Sequence, residues 1–408
     1  MTLFESIGPA GPAAAAVIAL LSLLIWICLL CAHGRFWQSG PQLPAVLPAQ
    51  TPEVDIVVPA RDEAHTIAAA IGSLLGQDYG GSFRIILVDD NSTDATAAFA
   101  ESAASARAAS ARAASAGAAS AKAAQSGGAA TARLEIISLN SKPQGWSGKL
   151  WALSQGIAAS QAPILLLTDA DIVHDAGHLS SLVAQMLNSG TDMVSEMVRL
   201  NCTSLAERAL VPAFVYFFQM LYPFRRVNDP RSRVAAAAGG TILIRREALE
   251  RIGGIAAIRN SLIDDVALAR AVKRGGSIFL GHSALAASIR PYAKFADIWH
   301  MISRTAFTQL RYSALLLVLT LLALAVVWLA PVGALLFGQG WTRACGAAAC
   351  AMAMFSYLPT LHRYGRSPLW ALALPLIALF YMAATLGSAL DHWRGRGARW
   401  KTRDYGAG

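Results

Sequence analysis

The chain alternates between long apolar runs at its two ends and a middle of short apolar bursts broken by polar loops. From about Ala13 to Ala32 no charged residue occurs, a stretch about as long as a bilayer-spanning helix needs. Three further runs follow near the other end: Ala314 to Phe337, about Ala344 to Leu361, and Leu369 to Leu390. Between Pro41 and about Arg311 the pattern changes to β-branched runs ending in polar loops, each followed by an Ala/Leu-rich helical stretch. That alternation predicts an α/β domain on a parallel sheet. VDIVVPA (Val54 to Ala60), RIILVDD (Arg84 to Asp90), LEIISL and PILLLTD (Pro163 to Asp169) read as strands, and EAHTIAAAIGSLLGQ, DATAAFAESA and KLWALSQGIAAS as helices.

One segment departs from both patterns. Residues 103–130 repeat AASAR, AASAR, AASAG and AASAK with almost no large apolar residue. A five-residue period matches neither helix nor strand amphipathicity, so the segment is expected to be a solvated Ala-rich helix or a disordered insertion. The expected organisation is a transmembrane helix at 10–33, a catalytic-type α/β domain at 50–312, C-terminal transmembrane helices within 313–390 and a basic tail at 391–408.

Composition sharpens the membrane reading. The chain has 408 residues, 55% hydrophobic and only 14% charged, with a mean hydropathy of +0.45, which excludes a mainly disordered protein. The net charge of +9 falls largely beside apolar runs: Arg35, Arg363, Arg366, and Arg394 to Arg403. This is the distribution of membrane-flanking cations and argues against nucleic acid as the partner. The five cysteines, Cys28, Cys31, Cys202, Cys345 and Cys350, show neither a disulfide framework nor zinc-ligand spacing.

The first run, preceded by Glu5 and without Lys or Arg before it, suits an anchor better than a cleaved signal. Arg35 after it places the following domain in the cytoplasm by the positive-inside rule. Three C-terminal crossings would then put the basic tail outside, so one run is expected not to span, the Gly/Ala/Cys-rich one from Ala344 being the weakest. Polar residues within the runs are few, which gives a transporter little support.

The chemistry lies at the predicted strand ends, where α/β sheets place their sites. VDDNSTD puts Asp89, Asp90 and Asp94 at one, and TDAD puts Asp169 and Asp171 at another. On an extended segment the i, i+2 spacing turns both carboxylates of TDAD to one side, as a hard divalent cation bound to a diphosphate requires; a turn built from ordinary Asp residues is the plainer reading. Asp264 and Asp265 open a predicted helix, where they serve as dipole partners or, alternatively, supply a general base.

Taken in order, VVPARDE, ILVDDNSTD, GKLWALSQG, LLLTDAD, GGTILIRREAL with IGG, and IDDVALARAVKRGG resemble the inverting family 2 glycosyltransferases of GT-A fold, over about Val54 to Arg311. That resemblance implies a Rossmann-like mixed α/β sheet flanked by helices. It implies a nucleotide pocket lined by Pro59, Ala60, Arg61 and Glu63, with Asp89 and Asp90 at the base, and Asp169 and Asp171 holding nucleotide and a divalent cation, Mg²⁺ or Mn²⁺. Asp265 would be the catalytic base, beside an Asp264 that replaces the more usual Glu. More narrowly, KPQGWSGKLWAL, RTAFTQLRYS and WKTRDY resemble the hopanoid-biosynthesis-associated enzymes. Where processive members carry Q-x-x-R-W, this chain has Thr308, Gln309, Leu310, Arg311 and Tyr312, and the lost Gln argues against processive synthesis. Arg311 binds diphosphate on this reading; with Arg304 it is otherwise a membrane-surface anchor.

Other residues carry two readings each. Lys149 is a phosphate or acceptor contact, or a surface lysine. Trp146 and Trp151 face an acceptor, line an interface, or pack. His282 is an extra metal ligand or, as the better reading, a core or loop histidine. Tyr216, Phe217, Phe218 and Tyr222 guide a lipid or form core. The expectation is an inverting glycosyltransferase of the bacterial inner membrane, multi-pass with a cytoplasmic catalytic domain, moving a sugar from a nucleotide-sugar to a hopanoid or other isoprenoid lipid. Transfer to polyprenyl phosphate and a non-catalytic scaffold are the alternatives.

Overall fold

The computed structural model describes residues 10–118, 133–395, 399–400 and 403–404. In chain order the elements are α1 (Ala10–Ala32), β1 (Val54–Ala60), α2 (Ile67–Leu75), β2 (Phe83–Asp89), α3 (Thr96–Ala118), β3 (Arg133–Ser138), α4 (Gly148–Ala158), β4 (Ile164–Thr168), β5 (Ile172–His174), α5 (His178–Ser189) and β6 (Met193–Arg199). They continue with α6 (Leu205–Leu221), α7 (Phe224–Asn228), β7 (Thr241–Arg245), α8 (Arg246–Arg251), α9 (Asp264–Lys273), β8 (Ile278–Ser288), α10 (Phe295–Gln309), α11 (Ala314–Leu324), α12 (Ala330–Phe337), α13 (Gly340–Arg363) and α14 (Leu374–Trp393). The Ala/Ser-rich insertion begins inside α3, and its residues 119–130 lie outside the described residues. The chain divides into two compact units, one of 1–40, 202–225 and 292–398, the other of 41–201, 226–291 and 399–408.

The second unit is built on a sheet of order β3-β2-β1-β4-β7-β6-β8-β5 among the described residues. β1 pairs parallel with β2 and β4, and β2 parallel with β3. Beyond β4 the parallel arrangement expected from the sequence gives way to a mixed one: β7 runs antiparallel to β4 and β6, β5 antiparallel to β8, and β6 parallel to β8. All seven residues of β1 and all five of β4 are buried, so these strands read as continuous apolar runs, as central strands covered on both faces must. The exceptions are Thr168 and Asp55; Asp55 accepts two bonds from Arg84, at 2.8 and 3.2 Å, and Arg84 reaches Glu135 at 2.9 Å. α4 lies close over β1 and β2 at Gly156, where an added Cβ would come within 3.0 Å of Val88 and nearer still to Val57.

The first unit is helical. Gly11–Ala32, Ala314–Phe337, Gly340–Arg363 and Pro368–Trp393 are long and apolar enough to cross a membrane. The run from Ala344, expected to be the weakest, lies inside the unbroken 24-residue helix α13. Leu20, Leu21 and Leu24 of α1 and Leu315, Leu319 and Leu322 of α11 are exposed, as side chains facing lipid would be. Between α11 and α12 the helix widens to a π-turn over Ala325–Leu329. Pro331 lacks the N–H that would bond the carbonyl of Val327, and Trp26 Nε1 donates to that carbonyl instead, at 3.0 Å. Small residues let α13 approach: a Cβ on Gly346 would lie 2.7 Å from the Pro331 carbonyl oxygen.

Of the predicted lipid guide, Tyr216 and Tyr222 are core of this unit and Phe217 and Phe218 are half-buried. Tyr216 is fully buried and its hydroxyl lies 2.6 Å from Ser356 Oγ. Phe217 packs against Trp328 and Tyr381, and Phe218 against Tyr222 and Phe224. At the start of α6, Glu207 accepts bonds from Thr203 N, Ser204 N and Tyr292 N at 2.9, 2.8 and 2.7 Å. Burial would raise its carboxyl, but these donors hold it down at about 2.

Candidate active site

The site forms where the strands of the α/β unit end. The loops after β1 and β2 are knitted together by their own polar side chains. Asp62 Oδ1 accepts from Thr93 N at 2.8 Å, Asp62 N donates to Ser92 Oγ at 3.0 Å, Glu63 N donates to Thr96 Oγ1 at 2.8 Å and Ala64 N to Asp94 Oδ2 at 3.1 Å. Asp62 and Asn91 take left-handed φ values of 49° and 55°, which Asp and Asn tolerate better than most residues. Arg61 donates to the Asp90 carbonyl at 2.6 Å, and Asp90 N to the Ala60 carbonyl at 2.9 Å. Asp89 caps its own loop by accepting from Ser92 N at 3.1 Å. Pro59, Ala60, Arg61, Glu63, Asp89 and Asp90 are thereby brought to one edge.

A narrow cleft opens beside them, lined by Pro59, Lys149, Asp169, Gly239, Asp264 and Asp265 and by apolar side chains, among them Leu153, Leu167 and Leu268. Lys149 occupies the first turn of α4, whose start is fixed by Ser147 Oγ accepting from Leu150 N. Its Nζ lies 2.8 Å from Asp169 Oδ1 and 3.3 Å from Asp264 Oδ2, so it lines the cleft in ion pairs rather than standing free on the surface. Burial works against the Lys149 ammonium, but Asp169 and Asp264 hold it above the usual lysine range. Asp265 Oδ2 accepts from Gly239 N at 2.9 Å and Oδ1 from Val266 N at 2.7 Å. Burial, then the neighbouring Asp264 charge, pushes its carboxyl up to about 7. Asp169 is raised as well, by burial and by Asp171, with Lys149 opposing.

The two aspartates of TDAD do not point one way. Ile172 N bonds the Asp169 carbonyl at 3.3 Å, closing a turn, so the alternation of an extended segment is lost. Asp169 faces Lys149, whereas Asp171 Oδ2 accepts from Arg290 Nε at 2.6 Å and from Ser288 Oγ at 3.4 Å. Arg290 also reaches Glu63 Oε1 through Nη2, at 2.6 Å. The oxygen donors suit a hard divalent ion, yet among the described residues no group of three or more His, Cys, Asp or Glu side chains is assembled to hold a metal.

A second network, without periodic sign in the chain, supports this corner. Glu196 Oε2 lies 2.6 Å from His178 Nε2, His178 Nδ1 lies 2.8 Å from His174 Nδ1, and His174 Nε2 lies 3.1 Å from Thr168 Oγ1. Thr168 donates to the Gly240 carbonyl at 2.9 Å, while Ser195 Oγ accepts from Ala238 N at 2.8 Å. Gly239, the donor to Asp265, is thus pinned on both sides. Burial and the adjacent His178 hold the His174 imidazole well below its ordinary range, so it stays neutral.

The remaining candidates lie elsewhere. Trp146 and Trp151 pack edge to face at 5.3 Å, and Trp151 Nε1 donates to the Ser141 carbonyl at 3.1 Å, which fixes the loop before α4. His282 is a buried strand residue of β8 whose N–H donates to the Pro41 carbonyl at 2.8 Å. Arg311 belongs to the helical unit, in a left-handed turn (φ 53°) after α10. Arg290 was missed because it stands 119 residues beyond Asp171, outside every motif.

A mixed sheet with carboxylates gathered at its strand ends is a GT-A-like fold. Residues 55–253 match the family model described as Glycosyl transferase family 2, so the chain carries a domain of that family. An N-acetylglucosaminyltransferase of Neorhizobium galegae is 47% identical over 60 residues, a stretch that spans 14% of this chain and only 14% of that relative's length. The fold resembles that of the mannosyltransferase PcManGT from Pyrobaculum calidifontis, solved in complex with GDP-Man and Mn²⁺, with a TM-score of 0.55, 19% identity, and coverage of 95% of this chain and 100% of that one.

Proposed function

We propose that this chain is an inverting glycosyltransferase of the membrane that moves one sugar from a nucleotide-sugar to the hydroxyl of an isoprenoid or hopanoid-type lipid. The observation that carries the reading is the Asp265 carboxylate, held by two backbone N–H groups in the same cleft as Lys149 and Asp169, with its pKa pushed up to about 7. A carboxylate so placed is a competent base near neutral pH. It takes the proton of the acceptor hydroxyl as the oxygen bonds to the anomeric carbon and the sugar–phosphate bond breaks on the opposite face. Glu63, Arg61, Asp89 and Asp90 form the nucleotide edge. Lys149 holds Asp169 and Asp264 in place and brings a positive charge to the departing diphosphate. Asp169 and Asp171 face Lys149 and Arg290 respectively, and no step of this reading is routed through a metal ion. The apolar side chains of the cleft and the four apolar helices support a lipid acceptor.

The test is sugar transfer by detergent-purified protein with Mg²⁺ or Mn²⁺, a panel of radiolabelled nucleotide-sugars and total bacterial lipid, beside Asp265→Asn. The expected result is lipid-extractable label that falls by at least about 100-fold in the variant, the usual reach of a general base. A phosphate acceptor is already ionised and needs no base, so label that survives Asp265→Asn would move the reading to polyprenyl phosphate. A folded protein that binds no nucleotide would move it to a scaffold.

A further inference from the structure

Ser195 is a fully buried hydroxyl in the middle of β6, among Met193, Val194, Met197 and Val198. A hydroxyl taken out of water costs stability unless it is bonded, and this one turns both of its capacities to a single residue. Ala238 N donates to Ser195 Oγ at 2.8 Å, and Ser195 Oγ donates to the Ala238 carbonyl at 3.1 Å. That carbonyl and the N–H of Gly239 belong to one planar peptide group, and Gly239 N donates to Asp265 Oδ2 at 2.9 Å. One peptide unit therefore links the Ser195 hydroxyl to the Asp265 carboxylate. Gly239 lets the carboxylate come close, since a Cβ there would lie 3.3 Å from Asp265 Oδ2. Alternation along the strand turns Glu196 the other way, onto His178, so Ser195 takes no part in the imidazole chain.

We propose that Ser195 is a positioning residue for the base: its hydroxyl orients and polarises the Ala238–Gly239 peptide so that the Gly239 N–H stays on the Asp265 carboxylate. This rests on the reading of Asp265 as the base given above. A donor at the carbonyl end of a peptide strengthens the N–H at its other end, by roughly 10–30% per bond. The Gly239 N–H favours the ionised carboxylate, as do Val266 N at 2.7 Å on Oδ1 and the Lys149 ammonium from α4, itself paired with Asp169. Burial and the Asp264 charge beside it on α9 oppose them. Ser195 does not line the cleft, and it acts on the acceptor proton only through this peptide. Without its hydroxyl, Asp265 keeps its place at the start of α9 and loses part of what holds it ionised.

The experiment follows the Asp265 carboxyl by carbon-13 NMR of the full aspartate-labelled chain in detergent, assigned by the resonance lost in Asp265→Asn, for wild type, Ser195→Ala, Ser195→Cys and Ser195→Thr. Polarisation of a charge-assisted bond by one neighbour amounts to about half a pH unit. The titration should move up by about that much in Ser195→Ala, by less in Ser195→Cys with its weaker S–H donor, and not in Ser195→Thr, which keeps the hydroxyl. Thermal melts establish that each variant is folded; if Ser195→Ala is not, the Cys and Thr variants decide by the same comparison. In sugar transfer the acid limb of kcat/KM should move with the titration, whereas a residue that only supports the strand would lower kcat/KM equally at every pH. A titration that stays in place or moves down in folded Ser195→Ala, or moves as far in Ser195→Thr, overturns the proposal and leaves Asp265 as the base if Asp265→Asn abolishes transfer. Transfer that survives Asp265→Asn while the titration moves as expected removes the base reading alone and leaves the hold of Ser195 on the carboxylate standing.

Discussion

Lys149→Met changes the electrostatics of the cleft in a direction that can be worked out beforehand. A point beside Gly239 lies 3.3 Å from Asp265 Oδ2 and 3.5 Å from Lys149 Nζ, so the two atoms are at most about 7 Å apart. At an effective dielectric near 20, a unit charge at that distance is worth roughly 2 kcal/mol. Lys149 is 19% exposed, and solvent screening reduces this to about 1 kcal/mol, close to one pH unit. The ammonium favours the ionised base, so losing it raises the Asp265 carboxyl further from its position at about 7. The acid limb of kcat/KM against pH, which reports the base in the free enzyme, should move up by about one pH unit in lipid-transfer assays. Activity at pH 6 should then fall about tenfold more than activity at pH 8.5. An acid limb that stays in place or moves down would refute the assignment of Lys149 as the charge that keeps Asp265 ionised.

Two further outcomes concern stability. Gly156→Ala drives a methyl into Val57 and Val88 where α4 crosses the sheet, and should cost about 1–3 kcal/mol in a thermal or chemical melt. Glu207→Gln loses the ionised acceptor of three backbone N–H groups. Because the backbone donors hold the folded carboxyl down at about 2, below its ordinary 4.5, the wild-type advantage, on the order of 3 kcal/mol, is complete above the unfolded pKa and shrinks as pH falls toward 2; a difference in melting temperature that is the same at pH 7 and pH 3 would contradict it.

The strands of the nucleotide half were legible in the sequence because burial on both faces leaves a mark in the chain itself. VDIVVPA coincides with β1, and PILLLTD and RIILVDD overrun β4 and β2 by a residue or two. The mixed half was not legible: nothing local in TILIR or IFLGHSALAAS states which way the strand runs, since direction is decided by the connections. The carboxylates were legible as types and positions, and Asp264 and Asp265 do open α9. Their partners were not. Arg290, Gly239 and the His174–His178–Glu196 chain act through distances that only the closed sheet creates, and the turn at Asp169 reversed the orientation that spacing alone suggested.

The indole of Trp26 and the carbonyl of Val327 are separated by 301 positions in the chain. At about 5–20 residues per second of synthesis, roughly 15–60 s pass between the emergence of the donor and that of its acceptor. During that interval α1 carries a polar N–H with no protein partner from the last third of the chain, and the finished helix pair is a product of late assembly. α1 therefore keeps one contact open until the chain has been made as far as Val327, while α13 and α14 are still to come.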